Sequence, residues 1–280
     1  MGGLLLGDVS LTGVDLDAYC RRIGYAGPRT ATLSTLREVL RLHPAAIPYD
    51  AIDARLGVPI ELAPAAVDAK LIGARRGGYC FEQNTLLLRV LLALGFHAEP
   101  LSARPRWRRP AHEHVARTHM AVRVLLDGRD WLADVGFGSC MLTVPLDLGL
   151  SDPQQTIHEP ARVVPLQGES RVERLLGGEW LPLYDLLLAP QKPIDLQAAN
   201  WLISRHPASS FHQNLVVSRT RDEVRHVLVN TRLTTRRAGA EVEHRELDAA
   251  GLERSLVEDF GLPMQANFRA LFSELAAAVK

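Results

Sequence analysis

A cysteine placed directly after a double glycine is the residue of this 280-residue chain best placed to do chemistry. It stands in Arg75-Arg76-Gly77-Gly78-Tyr79-Cys80-Phe81-Glu82-Gln83-Asn84, and an apolar run (Leu86, Leu87, Leu88, Val90, Leu91, Leu92, Leu94) follows until Gly95 stops it. Apolar residues on nearly every side predict a buried helix that begins near Cys80 and ends at the glycine. The free N–H groups and positive dipole end of such a helix favour a thiolate, which is a nucleophile where a thiol is a poor one. The alternative is an inert core cysteine, since free cysteines are commonly buried. Arg-Arg-Gly-Gly argues against it, because two glycines ahead of a helix allow close backbone approach.

A nucleophile of this kind needs a base, and one hairpin offers it. His119 to Leu126 and Arg129 to Val135 are strand-like runs joined by Asp127-Gly128, a strong two-residue turn signal. Closing the turn there pairs Leu126 with Arg129, Val124 with Trp131 and Ala121 with Asp134. Side chains alternate along each strand, so His119 lies on the face of Asp134 and diagonal to it, with Cα atoms roughly 7–8 Å apart. Cys80, His119 and Asp134 then have the makeup of an activated nucleophile: imidazole takes the thiol proton and the carboxylate orients the ring. The register depends on the turn having two residues, and the chain's 10 histidines leave other bases open.

The elements around these residues follow from punctuation and period. Asp15 can cap a helix carrying Leu16, Tyr19, Cys20 and Ile23 and closed by Gly24, which makes Cys20 core. Leu33, Leu36, Val39 and Leu40 predict a second helix, ended by His43-Pro44. Ile47 to Asp53 reads as extended or turn, and a short helix is expected from about Pro64 to Gly73. From Phe96 the period changes. Ala98 to Trp107 reads as a strand that Pro100 and Pro105 restrict to an edge or irregular role. Arg106-Trp107-Arg108-Arg109-Pro110 is a basic, aromatic patch, either a solvated loop or a contact for an anionic substrate. Short strands at Leu142 to Leu148, Ala161 to Leu166, Val172 to Leu176 and Trp180 to Leu183 suggest an antiparallel barrel or sheet over about 96–195. Asn200 to Ser204 and His206 to Phe211 read as a linking segment. Strands are expected at Leu215 to Val217, Val224 to Val229 and Val242 to Leu247. A helix after Asp248 (Leu252, Leu256, Phe260) and a last one (Phe268, Leu271, Phe272, Leu275) complete the chain.

Composition excludes several classes. Lys plus Arg equals Asp plus Glu at 32 each, so no bulk charge drives nucleic-acid or membrane binding. No apolar run reaches the ~20 residues of a membrane span. Met1 to Leu6 is apolar but short and without a basic leader, and Leu6 stands where a myristoylation signal starting at Gly2 wants Ser or Thr. Cys20, Cys80 and Cys140 form no Cys-x-x-Cys pair, which argues against a zinc ribbon or disulfide framework. His112, Glu113, His114 and His119 lack a further ligand, so no metal is expected. The expectation is a cytoplasmic enzyme.

Arg-Arg-Gly-Gly-Tyr-Cys-Phe-Glu-Gln-Asn, Thr118-His119, Asp134-Val135-Gly136-Phe137-Gly138 and His206-Pro207-x-Ser-x-Phe211, in this order, resemble the arylamine N-acetyltransferase family, and the likeness covers essentially the whole chain. The resemblance implies an α+β fold with a cysteine-protease-like nucleophile helix. Its parts would be an N-terminal helical bundle (1–95), an antiparallel β-barrel (96–195) and a C-terminal α/β lid (196–280). It implies a Cys80-His119-Asp134 triad and a ping-pong transfer from acetyl-coenzyme A to an arylamine or hydrazine through acetyl-cysteine. Phe137 and Phe211 match positions lining the amine pocket, and Gly136 and Gly138 would let backbone approach the acyl group or pantetheine arm. Two departures touch the amine region. The chain reads Ile47-Pro48-Tyr49-Asp50-Ala51-Ile52 where the family usually has Ile-Pro-Phe-Glu-Asn-Leu, and Pro105 stands where valine is usual. Tyr49 adds a hydroxyl to the pocket wall, and Asp50 is expected to pair with Arg76. The nearest rival is an amide synthase of the same fold that closes an ansamycin-type macrolactam from a carrier-bound polyketide. Hydrolase or transglutaminase chemistry lacks its local signatures here.

Overall fold

The computed structural model describes residues 13–110, 112–237 and 240–278, so Met1 to Leu6 with Gly2 lies outside the described residues. Capping sets the first helices. In α1 (Leu16–Ile23) the Asp15 side chain accepts the Ala18 N–H at 2.9 Å, and Gly24 closes the helix in the left-handed region at φ +74°. Thr32 caps α2 (Leu33–Ala46), which runs through Pro44 rather than ending there. Pro44 sits in the last turn, where its missing N–H costs one bond, and the turn still closes through Ile47 N–H to His43 O at 2.7 Å. Then come β1 (Tyr49–Asp50), α3 (Ile52–Arg55) and α4 (Pro64–Asp68), the last continuing as a π-helical turn over Ala69–Gly73. Helix α5 (Cys80–Ala93) starts at the predicted cysteine, and every residue from Cys80 to Leu91 is buried.

Seven antiparallel strands make a nearly closed barrel beside α5. They are β2 (His97–Pro105), β3 (His119–Leu126), β4 (Arg129–Ala133), β5 (Leu146–Asp147), β6 (Ala161–Pro165), β7 (Ser170–Leu176) and β8 (Glu179–Leu187), in the order β5-β4-β3-β2-β8-β7-β6. The β3–β4 hairpin has the predicted register, with Leu126 opposite Arg129 and Val124 opposite Trp131. Asp127 (φ 51°) and Gly128 (φ 73°) both take the positive φ of a type I′ turn. Met120, Val122 and Val124 of β3 share the apolar cluster of α5, while Ala121 belongs to the cluster inside the barrel. Strand β2 is interior, contrary to the edge expectation. Pairing with β8 begins only at Ser102, and Pro100, whose carbonyl takes the Gln191 N–H at 2.8 Å, points its polar groups away from β3. Its missing donor therefore breaks no ladder bond.

The segment expected to be a linker is helical: α6 (Pro193–Arg205) and α7 (Ser210–Gln213). Its inward residues include Asn200 and Ser204 while Trp201 is 66% exposed, so the apolar period that would betray a helix is scrambled. A second sheet follows, β9 (Val216–Arg221), β10 (Val224–Val229), β11 (Arg232–Arg237) and β12 (Glu243–Glu246), and β1 forms its far edge against β9. The strongly polar β11, Arg232-Leu-Thr-Thr-Arg-Arg237, gave no strand signal. Helices α8 (Ala249–Glu258), capped by Asp248, and α9 (Ala266–Ala277) cover this sheet through Leu252, Leu256, Phe268 and Phe272. Among the described residues no helix is long and apolar enough to cross a membrane.

Candidate active site

Helix α5 and the β3–β4 hairpin meet at Cys80, His119 and Asp134. His119 Nε2 lies 2.7 Å from Asp134 Oδ2, with the two side chains 2% and 0% exposed. The predicted diagonal across the hairpin is thus a direct ion pair. Cys80, 3% exposed, lines the same cavity as His119, and its Sγ approaches Thr118 O at 3.8 Å. Because Nε2 is committed to the carboxylate, Nδ1 is the nitrogen left for the thiol.

Asp134 is held on its other side by α5. Its Oδ1 accepts Asn84 Nδ2–H (2.9 Å) and the Gly136 N–H (2.8 Å). Asn84 also donates to Met120 O (2.6 Å) and accepts the Val135 N–H (3.1 Å), so both ends of its amide are used. Burial alone would raise the Asp134 carboxyl, but the imidazolium and these donors outweigh it and hold the group below the usual carboxylate range. Burial likewise opposes the imidazolium, yet the charge and hydrogen bond of Asp134, with Cys80, push His119 up to about 10. A base paired in this way orients its tautomer and stabilises positive charge next to sulfur. The Phe137 and Tyr184 rings close on the imidazole, each with its centroid 4.9 Å away.

A cavity of about 210 Å³ opens onto Cys80 and His119. Tyr49, Pro105, Phe137 and Phe211 line it, as do Gly136 and Gly138, so every pocket residue inferred from sequence reaches one space. Tyr49 and Phe211 face each other at 6.1 Å between centroids. Trp107 and Arg109 of the basic patch also reach this wall. Gly136 has a packing reason of its own: a Cβ there would fall 2.7 Å from Cys80 Cα and 2.6 Å from Asn84 Nδ2. Gly77 is equally constrained, since its Cβ would stand 2.3 Å from Pro48 O. This close approach lets the loop before Cys80 lie against β1. Asp50 pairs with Arg76 at 3.0 Å as expected, and Asp53 joins the same guanidinium at 2.9 Å.

Sequence reasoning gave no role to Asn84, Gln83, Tyr184 or Ile203. The first two carried a signal: polar side chains inside a helix that is otherwise apolar, directly after the cysteine motif. Tyr184 on β8 and Ile203 on α6, which also lines the cavity, come from distant segments and had none. His112 and His114 stay exposed before β3. Among the described residues no three His, Cys, Asp or Glu side chains group as metal ligands.

The N-acetyltransferase family model matches residues 32–269. The arylamine N-acetyltransferase of Mycolicibacterium smegmatis is 39% identical over 256 residues, covering 90% of this chain and 93% of that protein. The Escherichia coli arylamine N-acetyltransferase is 34% identical over 88% of each chain. Among solved structures, that of the M. tuberculosis arylamine N-acetyltransferase superposes with a TM-score of 0.89 at 34% identity, covering 94% of this chain and 100% of that one. The Mycobacterium marinum enzyme, solved in complex with CoA, gives a TM-score of 0.89 at 32% identity over 93% and 99% of the two chains.

Proposed function

This chain belongs to the arylamine N-acetyltransferase family, and we propose that it moves an acetyl group from acetyl-coenzyme A to an arylamine or arylhydrazine through acetyl-Cys80. The observation that carries this reading is the line Cys80, His119, Asp134 opening into one aromatic-walled cavity. Sulfur of Cys80 attacks the thioester carbonyl as its proton sits on His119. The carbon–sulfur bond to coenzyme A breaks, and the leaving thiolate takes that proton. The amine nitrogen then attacks the acetyl carbon, His119 receives the nitrogen's proton, and the Cys80 sulfur leaves. Asp134 keeps the ring in place through both transfers. The backbone N–H of Cys80, among the free donors at the start of α5, can stabilise the tetrahedral oxyanion.

The CoA complex of the M. marinum relative supports the donor class. Tyr49, Phe137 and Phe211 suit an aryl ring, while a cavity of about 210 Å³ fits a monocyclic amine better than a polyketide chain. This weighs against the amide-synthase alternative. Three free cysteines suit the reducing cytoplasm, where we place the reaction.

The test is coenzyme A release from acetyl-coenzyme A across a panel of arylamines and hydrazines, with Cys80→Ala as control. Amine-stimulated release that vanishes in the variant is the expected result. A wild-type protein that neither releases coenzyme A nor becomes acetylated, while Cys80 still alkylates quickly, would show the donor to be wrong and bring carrier-bound chains forward.

A further inference from the structure

The helix that starts at Cys80 carries a buried carboxylate in its first turn. Glu82, 2% exposed, accepts the N–H of Tyr79 at 3.0 Å and so ties down the residue just before the cysteine. A glutamate there caps a helix well. It also places negative charge two residues from a thiol that must itself become negative. Burial pushes the Glu82 carboxyl up from its ordinary value, with Lys70 acting against that rise. Lys70 Nζ lies 2.6 Å from Glu82 Oε1 and 2.8 Å from Asp53 Oδ2. It is delivered by the π-helical turn Ala69–Gly73, a rare turn type that recurs at functional sites. Asp53 and Asp50 share Arg76, so three buried carboxylates meet two cations. Arg76 gives both terminal nitrogens to Asp53 and Asp50, and Glu82 is paired with Lys70 instead.

We propose that Lys70 is a positioning residue for the transfer: it cancels the charge of Glu82, so that the carboxylate can cap the nucleophile's helix without opposing the thiolate. This rests on the reading of Cys80 as nucleophile. Cys80 itself is faced by His119, with Asp134 behind it, and by the phenols of Tyr49 and Tyr79, which burial keeps neutral. Lys70 and Glu82 are faced by Asp53, with Asp50 and Arg76 beyond. Without Lys70, three carboxylates would face one cation, and the added negative potential would fall on the sulfur.

The experiment follows alkylation of Cys80 by uncharged iodoacetamide against pH, resolved by peptide mass spectrometry. Cys20, whose thiol burial pushes up, serves as the slow internal control. In Lys70→Met the midpoint of the Cys80 profile moves up by about one pH unit, slowing alkylation below it about tenfold. Acetylation of Cys80 slows in parallel with little change in amine KM. Lys70→Arg keeps the wild-type profile. Adding Glu82→Gln to Lys70→Met returns it, because glutamine still caps without charge, and Glu82→Gln alone moves it down. A Lys70→Met protein that melts earlier with an unmoved midpoint overturns the proposal, as does a double variant that fails to return. Should Lys70→Met not fold, Glu82→Gln alone decides, and an unmoved or raised midpoint there overturns it. Wild-type Cys80 reacting no faster than Cys20 would instead sink the nucleophile reading itself.

Discussion

Two buried histidines lie beside α5 and end in opposite charge states. His43 is 0% exposed and His119 2%. His43 Nε2 meets Gln83 Oε1 at 2.6 Å, and its Nδ1 meets the Tyr19 hydroxyl at 2.8 Å. An amide oxygen can only accept, so Nε2 carries the proton and Nδ1 accepts from tyrosine. Burial dominates there, the Gln83 bond offsets it only in part, Arg22 adds to it, and His43 falls to about 4. His119 meets a carboxylate instead and rises. The difference that matters is at the end of the partner side chain, an amide nitrogen in Gln83 where Asp134 has a second carboxylate oxygen. An amide fixes a buried imidazole in place without charging it; a carboxylate fixes it and lets it hold a proton. The two supports are neighbours on the helix, since Gln83 serves His43 and Asn84 serves Asp134. Gln83 also donates to Pro48 O at 2.7 Å, so the neutral side clamps the Tyr49 segment while the charged side holds His119 against Asp134.

The contrast can be broken from either side. Asp134→Asn should turn His119 into a second His43: acyl transfer falls by about 10³–10⁴, and the imidazole, read by NMR titration, drops below its ordinary value while the fold persists. Wild-type turnover in that variant would show that the carboxylate is dispensable. Gln83→Glu runs the exchange the other way. It should raise His43 but forfeit the donors to the Ile47 and Pro48 carbonyls, destabilising the fold by about 2–4 kcal/mol in urea unfolding. An unchanged unfolding midpoint would mean that the clamp is not needed.

Stability against pH should separate the two histidines by sign. The share of His119, whose value is raised, is complete below about 6.5 and is lost as pH climbs toward about 10. Asp134, whose value is lowered, keeps its share above the ordinary carboxylate range and loses it as pH falls through the folded value. The share of His43 is present above about 6.5 and is lost as pH falls toward about 4. His119→Gln should therefore flatten the alkaline limb of the curve and His43→Gln the acid limb, each slope being at most about 1.4 kcal/mol per pH unit. The smallest effect is expected from Tyr19→Phe, which leaves His43 Nδ1 without a donor. About 1 kcal/mol should be lost with no change in turnover. A loss of activity there would join the two regions that the comparison separates.

Much of the site was legible because its signals are local. Gly77-Gly78 and Gly95 bracket α5, and Asp127-Gly128 sets the β3–β4 register through its two positive φ angles. From these the Cys80 helix and the His119–Asp134 pair could each be read, while the chain's other histidines left the choice of base open and the family resemblance joined the three. What escaped was structure whose pattern depends on its surroundings. Strand β11 turns only Leu233 and Thr235 inward and leaves Arg232 and Arg237 exposed, so a single apolar residue marks its buried face. Helix α6 buries Asn200, whose Oδ1 bonds the Tyr79 hydroxyl, while leaving Trp201 outside. Strand β2 tolerates Pro100 because β8 has already ended beside it.

The sequence by itself determined the two elements that carry the candidate nucleophile, base and carboxylate, because caps, glycines and turn chemistry act over a few residues. The charge on those groups was decided only in three dimensions. Asn84 reaches Asp134 across 50 positions, Gln83 reaches His43 across 40 and Lys70 reaches Glu82 across 12. In a buried site the loss of water is nearly the same for every ionisable side chain. Its protonation therefore follows the partner that packing brings to it, and no local pattern encodes that partner.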